Sequence, residues 1–161
     1  MPDTKLGVRK ATAQLREDHE KVMKLFLEYE DLGDGKSGEK DRIFKEVERE
    51  LGVHATLEEE IFYPAVQPVT KGKTTDGDEI VKEALEEHKV VKTLLAQMAA
   101  MEADGETFDA KMKVLTENVR HHAGEEQEEM VPLFEKLPKE EQARVSQELA
   151  NRKSQLQWES E

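Results

Sequence analysis

Apolar residues recur along the chain at alternating steps of three and four residues, in four segments of helical length. The stripes run from Val8 to Tyr29, from Phe44 to Ile61, from Val81 to Met98 and from Phe108 to Val119. This spacing gives each helix one apolar face that can be buried against its neighbours. Alternating β-branched runs and Asn-Gly hairpin signals, which mark strands, do not occur. The pattern predicts four amphipathic helices.

Three short stretches rich in Gly, Asp and Ser separate these segments, at residues 31–38, about 68–78 and 103–106. Such residues favour turns. Short loops make consecutive helices antiparallel, so we expect an all-α, up-down-up-down four-helix bundle. A fifth helical segment, about 139–157, follows Pro138. We expect Val145 and Leu149, with Trp158 just beyond, to pack on the outside of the bundle, which divides the chain into residues 1–135 and a C-terminal helical extension, 136–161.

Each apolar stripe is interrupted by polar residues that stay in phase with it. The interrupting residues are His19, His54 with Glu58, His88, and His122 with Glu126. Each helix therefore points one histidine into the core, and two helices add a carboxylate four residues later on the same face. Counting residues from each loop at about 1.5 Å per residue puts the four histidines in one layer.

The chain also repeats itself. At an offset of 68 residues, His54, Glu58 and Pro64 match His122, Glu126 and Pro132, and at an offset of 69 Asp18-His19 resembles Glu87-His88. Each half is thus a helical hairpin that supplies one histidine and then a His-x-x-x-Glu motif. Two such halves arrange four histidines and two carboxylates around a pseudo-twofold axis.

This set of groups points to metal. Two buried carboxylates repel each other unless a positive charge lies between them. Imidazoles with carboxylates suit iron, manganese or zinc, but six ligands are too many for one tetrahedral zinc. They fit two six-coordinate ions, with two histidines on each ion, both carboxylates bridging, and room for a bridging oxide or water and a small ligand. Iron is preferred because open positions on such a site suit dioxygen chemistry.

Several neighbouring residues receive a different interpretation. His121 lies about 100° around the helix from His122, away from the apolar seam, so we expect a surface or supporting role for it. The alternative pairs His121 with Glu126, five residues later. The acidic residues beside the motifs are expected to form a solvated face; they are Glu59, Glu60, Glu128 and Glu129.

Charge and composition narrow the function. The 161 residues include 24 Lys and Arg against 37 Asp and Glu, a net charge of −13, which disfavours nucleic acid and anionic membrane surfaces as partners. The absence of cysteine excludes disulfides, zinc–thiolate sites, cysteine-ligated iron–sulfur clusters and a cysteine nucleophile. No signal-peptide core or membrane-length apolar run occurs, so a cytoplasmic location is expected.

The ordered motifs resemble the hemerythrin-like, or HHE cation-binding, family over about residues 10–135. The matching motifs are Asp18-His19-Glu20, His54-x-x-x-Glu58 with Phe62-Tyr63-Pro64, Glu87-His88, and His122-x-x-x-Glu126 with Val131-Pro132. The resemblance implies a four-helix bundle with a non-haem diiron site that binds dioxygen or related small molecules. Oxygen carriers of this family use five histidines, two of them four residues apart on the third helix, whereas Lys92 stands four residues after His88 here.

The missing histidine leaves the site more open, which favours peroxide turnover, nitric oxide binding, or sensing of iron or oxygen over simple oxygen carriage. We expect a diiron protein that stores, senses or scavenges dioxygen, nitric oxide or peroxide. The alternatives are a diiron enzyme that decomposes peroxide or reduces a diatomic gas, and a metal-free helical adaptor. A ferritin-like oxidase is disfavoured because no histidine has a glutamate three residues before it. The sequence does not identify the protein partner that a sensor would need.

Overall fold

The computed structural model describes residues 8–71 and 75–159. Its helices are α1 (Ala11–Leu32), α2 (Ser37–Leu57), α3 (Tyr63–Val66), α4 (Gly77–Ala99), α5 (Gly105–Glu125), α6 (Val131–Glu135) and α7 (Lys139–Glu159). Two five-residue π-helical segments, π1 (Glu58–Phe62) and π2 (Glu126–Met130), join α2 to α3 and α5 to α6. The second and fourth helices of the bundle are therefore continuous rods with a wider turn near their C-terminal ends.

The predicted all-helical bundle is confirmed. Helix α1 packs against α2, α4 packs against α5, and α1 also packs against α5. The first loop follows Gly33, whose φ of 69° lies in the left-handed region that glycine adopts without a steric cost. The helices begin and end close to the predicted loops.

The C-terminal helix covers the bundle. Helix α7 packs across α1, α2 and π1, and Val145 and Leu149 are buried as predicted. Its Ser146 Oγ accepts a hydrogen bond of 2.7 Å from the backbone N–H of Ala11, at the start of α1. The expectation for Trp158 is wrong, since this side chain is 79% exposed. Nine residues separate Trp158 from Leu149, which turns it about 180° away from the buried face. The division into two regions stays a prediction.

The loop between α3 and α4 contains a short antiparallel pair of strands, β1 (Thr70–Lys71) and β2 (Thr75–Asp76). We expected no strands, and two-residue strands are too short to leave an alternating pattern in the sequence. The loop closes at Gly77, where a Cβ atom would lie 2.0 Å from the carbonyl oxygen of Val66. Only glycine allows the start of α4 to approach the end of α3 this closely.

Two apolar clusters fill the bundle, and a polar layer separates them. One cluster contains Phe26, Ile43, Phe44, Met98, Phe108 and Leu115, and the other contains Leu57, Phe62, Tyr63, Met130, Phe134 and Leu149. The predicted stripe residues are buried as expected, except that Val8, Ile61 and Val91 are only partly buried. Val8 precedes α1, and Ile61 is only half-buried because π1 turns Phe62 into the core instead.

Among the described residues, no helix has the length and apolar character needed to cross a membrane.

Candidate metal centre

The polar layer brings together all six residues that the sequence singled out as metal ligands. Four of their side chains form one group with ligand atoms within 4.8 Å of one another, which we call the first set: His19, His54, Glu58 and Glu126. The second set meets the same criterion and consists of Glu58, His88, His122 and Glu126. The two sets share both carboxylates, and each has two histidines of its own.

Each shared carboxylate divides its oxygens between the sets. Glu58 places Oε2 3.0 Å from His54 Nε2 in the first set and Oε1 3.0 Å from His88 Nε2 in the second. Glu126 places Oε1 3.3 Å from His19 Nε2 and Oε2 2.9 Å from His122 Nε2. A carboxylate that bridged two cations would need this arrangement, with one oxygen in each set.

Three of the histidines have their second ring nitrogen held by a further carboxylate. His54 Nδ1 lies 2.9 Å from Asp18 Oδ2, and His122 Nδ1 lies 2.7 Å from Glu87 Oε1. His88 Nδ1 lies 2.7 Å from Glu59 Oε2. A carboxylate that accepts the Nδ1–H fixes the tautomer and leaves the Nε2 lone pair free for a metal. The Nε2 atoms of all three rings face the shared carboxylates.

The first set contains buried polar atoms without a hydrogen-bond partner. They are His19 Nε2, His54 Nε2 and Glu58 Oε2. The short approach of His54 Nε2 to Glu58 Oε2 is not aligned as a hydrogen bond, so both atoms count as unpaired. A buried unsatisfied group costs about 1–3 kcal/mol. A cation that accepts lone pairs from two imidazoles and a carboxylate would satisfy all three atoms, so the donor set fits a metal.

The acid–base properties of the layer show how strongly it favours positive charge. Burial opposes protonation of His54, but the negative charge of Glu58 and the hydrogen bond to Asp18 outweigh it and raise the pKa to about 10. Burial likewise opposes protonation of His122, while the nearby carboxylates of Glu126, Glu58 and Glu87 raise its pKa to about 12. Burial alone would raise the pKa of Glu58, yet His54 and the neighbouring groups hold it well below its ordinary value. Without metal, protons supply the positive charge that the carboxylates require.

The hydroxyl of Tyr63 lies within the second set, a feature that the sequence analysis did not predict. It is 2.7 Å from Glu126 Oε2 and 3.0 Å from Glu58 Oε1, either of which accepts its proton. It also lies 3.1 Å from the Nε2 atoms of both His88 and His122. Burial and the charges of the two glutamates raise the pKa of Tyr63, so the hydroxyl keeps its proton in the metal-free protein. A cation in the second set would meet this oxygen as a fifth possible ligand.

The π-helical segment explains how Tyr63 reaches the site. Tyr63 is five residues after Glu58, which in an α-helix would turn it about 140° away from the glutamate. In π1 the backbone N–H of Tyr63 bonds to the carbonyl of Glu58, so residues five apart come onto the same face. Pro64 supplies a reason for the wider turn, because a proline ring collides with the carbonyl four residues earlier in a regular α-helix. Segment π2, followed by Pro132, has the same form.

Comparison with known proteins agrees with this geometry. The family model of the hemerythrin HHE cation binding domain matches residues 10–134. The chain belongs to this family. It therefore carries a cation-binding domain, whose cluster of histidines and glutamates lies between the two apolar clusters of the bundle.

Individual relatives of this hemerythrin HHE domain differ in length. An uncharacterized hemerythrin-like protein of Schizosaccharomyces pombe is 30% identical over 94 residues, which cover 58% of the chain and 45% of that protein. A DNA nickase of Nostoc is 28% identical over 113 residues, covering 70% of the chain and 30% of that protein. The chain thus spans less than half the length of both. A crystal structure of an HHE cation-binding domain-containing protein from Mycobacterium kansasii shares the fold, with a TM-score of 0.78, 21% identity, and coverage of 92% of this chain and 87% of that one.

The hemerythrin HHE domain places the neighbouring residues in different environments. His121 is 69% exposed and pairs with Glu125 rather than with Glu126, as expected for a surface residue. Glu60 and Glu128 are exposed. The expectation for Glu59 is wrong, because this residue holds His88 and also bonds Lys92. A helix-by-helix pattern does not show such contacts, since they join two different helices.

Proposed function

We propose that this chain is a non-haem diiron protein that binds dioxygen or a related small molecule, nitric oxide or peroxide, for storage, sensing or scavenging. The observation that carries the proposal is the pair of ligand sets joined by Glu58 and Glu126. His19 and His54 would hold one iron ion, His88 and His122 the other, with both glutamates and an oxide, hydroxide or water bridging. Bound iron supplies electron transfer and Lewis acidity to the small ligand.

A cavity beside the layer supports a small, uncharged ligand. Its volume is about 60 Å³, and all four histidines of the two sets line it. Most of the remaining lining is apolar, from Leu51, Val91, Leu95 and Val119. A space of this size accommodates a molecule of two to four atoms and excludes larger organic compounds. Lys92 also lines the cavity.

The position of Tyr63 favours the second candidate function, an enzyme that decomposes peroxide or reduces a diatomic gas. Either reaction needs a proton near the oxygen or nitrogen atoms of the substrate. The Tyr63 hydroxyl holds a proton 2.7 Å from Glu126, inside the second set. The phenol donates to Glu126 in this structure and could donate instead to an atom of a substrate bound in the second set.

We expect this protein to be cytoplasmic and to bind neither nucleic acid nor membranes. The Nostoc relative is described as a DNA nickase, but the match covers only 30% of it. The net charge of −13 opposes approach to a phosphate backbone. A sensor role would require a protein partner.

The deciding experiment loads purified protein with iron under reducing, oxygen-free conditions and measures metal content and the optical spectrum. We expect two iron ions per chain and spectral changes on exposure to air, nitric oxide and peroxide. A folded protein that takes up at most one ion, whatever is supplied, contradicts the dinuclear centre. Reversible changes without consumption of the ligand identify a binding protein, whereas steady release of oxygen from added peroxide identifies the enzyme.

A further inference from the structure

We propose that Lys153, on the C-terminal helix α7, is a positioning residue of the metal centre that acts on His54 through the carboxylate of Asp18. The inference rests on the proposed function for its metal-loaded readout. It concerns a part of the chain that lies outside the family match, which ends at residue 134. Helix α7 would then influence the metal centre in addition to packing against the bundle.

The contacts form one continuous chain of polar atoms. Lys153 Nζ donates to Asp18 Oδ1 at 2.7 Å, and Asp18 Oδ2 accepts from His54 Nδ1 at 2.9 Å. His54 Nε2 in turn faces Glu58 in the first set. Asp18 and His54 are buried, and the Lys153 side chain is 29% exposed. The lysine thus reaches from the surface to a buried carboxylate whose other oxygen holds His54.

The ammonium group has two physical effects on the histidine. It fixes the orientation of Asp18, because each carboxylate oxygen has its own donor, and so fixes the ring of His54. It also weakens the pull of Asp18 on the Nδ1 proton, since part of the negative charge is neutralised. A carboxylate that pulls harder on this proton makes imidazole a stronger donor to the metal. Lys153 therefore restrains the donor strength of His54 and favours the reduced metal.

Other cations of the chain show why this contact is specific. Arg152, the neighbour of Lys153 on α7, bonds Glu60 at 2.9 Å, and its side chain is 28% exposed. Glu60 is itself 49% exposed and lies on the outer side of π1. The two adjacent cations thus have equal exposure, but only Lys153 is linked to a histidine of the layer. Lys92 has an analogous link to His88 through Glu59, although that lysine is 56% exposed and more strongly screened.

The test compares Lys153→Met with Arg152→Met, which removes the same charge from the same helix. In iron-loaded protein, an optical redox titration measures the ratio of reduced to oxidised centre at a fixed potential. We expect Lys153→Met to lower this ratio about three- to tenfold, where tenfold corresponds to about 59 mV for a one-electron step. Lys153→Arg should restore most of the wild-type ratio, and Arg152→Met should leave it unchanged. Thermal unfolding of all variants reports any loss of α7 packing.

A second readout needs no metal. In the metal-free protein, the proton on His54 Nδ1 is followed by NMR, and we expect its resonance to shift and its exchange with water to accelerate in Lys153→Met only. Equal behaviour of Lys153→Met and Arg152→Met in both measurements would overturn the inference. If wild-type protein binds no iron, the proposed function fails, while the NMR comparison still decides the role of Lys153.

Discussion

The two ligand sets have the same metal-binding groups but different surroundings. Each consists of two histidines with the shared Glu58 and Glu126, as expected from two copies of one hairpin. The first set holds three buried atoms that have no hydrogen-bond partner, His19 Nε2, His54 Nε2 and Glu58 Oε2. The second is satisfied by the hydroxyl of Tyr63. The six candidate ligands thus obey the internal repeat, whereas the residues that surround them differ between the two halves.

The repeat shows where the halves diverged. Asp18 and Glu87 are equivalent at an offset of 69, and both hold a histidine through Nδ1. Tyr63, in contrast, corresponds to Val131 at an offset of 68, and Glu59 corresponds to Gln127. Among the described residues, the phenol and a second carboxylate that holds a histidine therefore lie beside the second set alone. Chemistry at the two metal positions is expected to differ even though their ligands match.

Removing a shared ligand should have the largest effect, because it damages both sets together. Glu58→Ala takes one oxygen from each set and should lower affinity by more than the roughly 10–100-fold that follows loss of a ligand's hydrogen-bond partner. Metal analysis after dialysis should find both ions lost. Glu128→Ala, on the exposed face of π2, is the control and should keep both. Equal metal content in the two variants would mean that Glu58 does not bridge.

Removing a histidine that belongs to only one set should cost the metal of that set and leave the other set loaded. His122→Ala should leave about one ion per chain, held by the first set, because that set keeps all four of its ligands. The adjacent variant His121→Ala should bind nearly two, since His121 points to solvent. Iron content per folded chain is the measurement. Loss of metal in His121→Ala with retention in His122→Ala would favour the alternative pairing with Glu126.

The pH dependence of loading compares the sets without mutation. The pKa values of about 10 for His54 and about 12 for His122 mean that each set carries a bound proton at pH 7 in the metal-free protein. Metal must displace it, so affinity for each ion should rise about tenfold per pH unit up to about pH 10. Calorimetry in buffers of different ionisation enthalpy should detect about two protons released per chain at pH 7. Release of none would show that these imidazoles are neutral before loading.

Replacing the hydroxyl of Tyr63 should have the smallest effect on metal content and a specific effect on the second set. Tyr63→Phe keeps the buried ring and removes only the oxygen, so two ions should still bind, with affinity reduced less than about tenfold. The optical spectrum of the iron-loaded protein should change. Tyr29→Phe alters the only other tyrosine, which bonds Asp109, and should leave the spectrum unchanged. Identical spectra for Tyr63→Phe and wild type would place the phenol oxygen outside the centre.

The helices and the six converging residues could be predicted because both follow one rule, the 100° step of an α-helix. His54 and Glu58, four residues apart, share a face by that rule alone, and the polar gaps in the stripes identify the layer. That these residues hold metal remains a proposal. Tyr63 was missed because it follows Glu58 by five residues, a spacing that an α-helix turns to a different face. The position of Pro64 inside a helical stretch was the one sign in the sequence of a wider turn.

The supporting residues could not be predicted for a different reason. Glu59 meets His88, and Lys153 meets Asp18, across separate helices. Which residues of two helices meet depends on how the helices are rotated and packed, which the period of one helix does not encode. The exposure of Trp158, in contrast, follows from its phase relative to Leu149 and could have been derived by counting.

The two π-helical segments free the phenol from one fixed spacing in the chain. Each contains one residue more than an α-helical turn would need, directly after a shared glutamate. A single deletion within residues 59–62 would place the tyrosine four residues after Glu58, and a regular α-helix turns residues four apart by only about 40°. The phenol can therefore face the glutamate at a spacing of five with the π-helical turn or at a spacing of four without it, so one codon can be lost while every ligand and the phenol stay on one face.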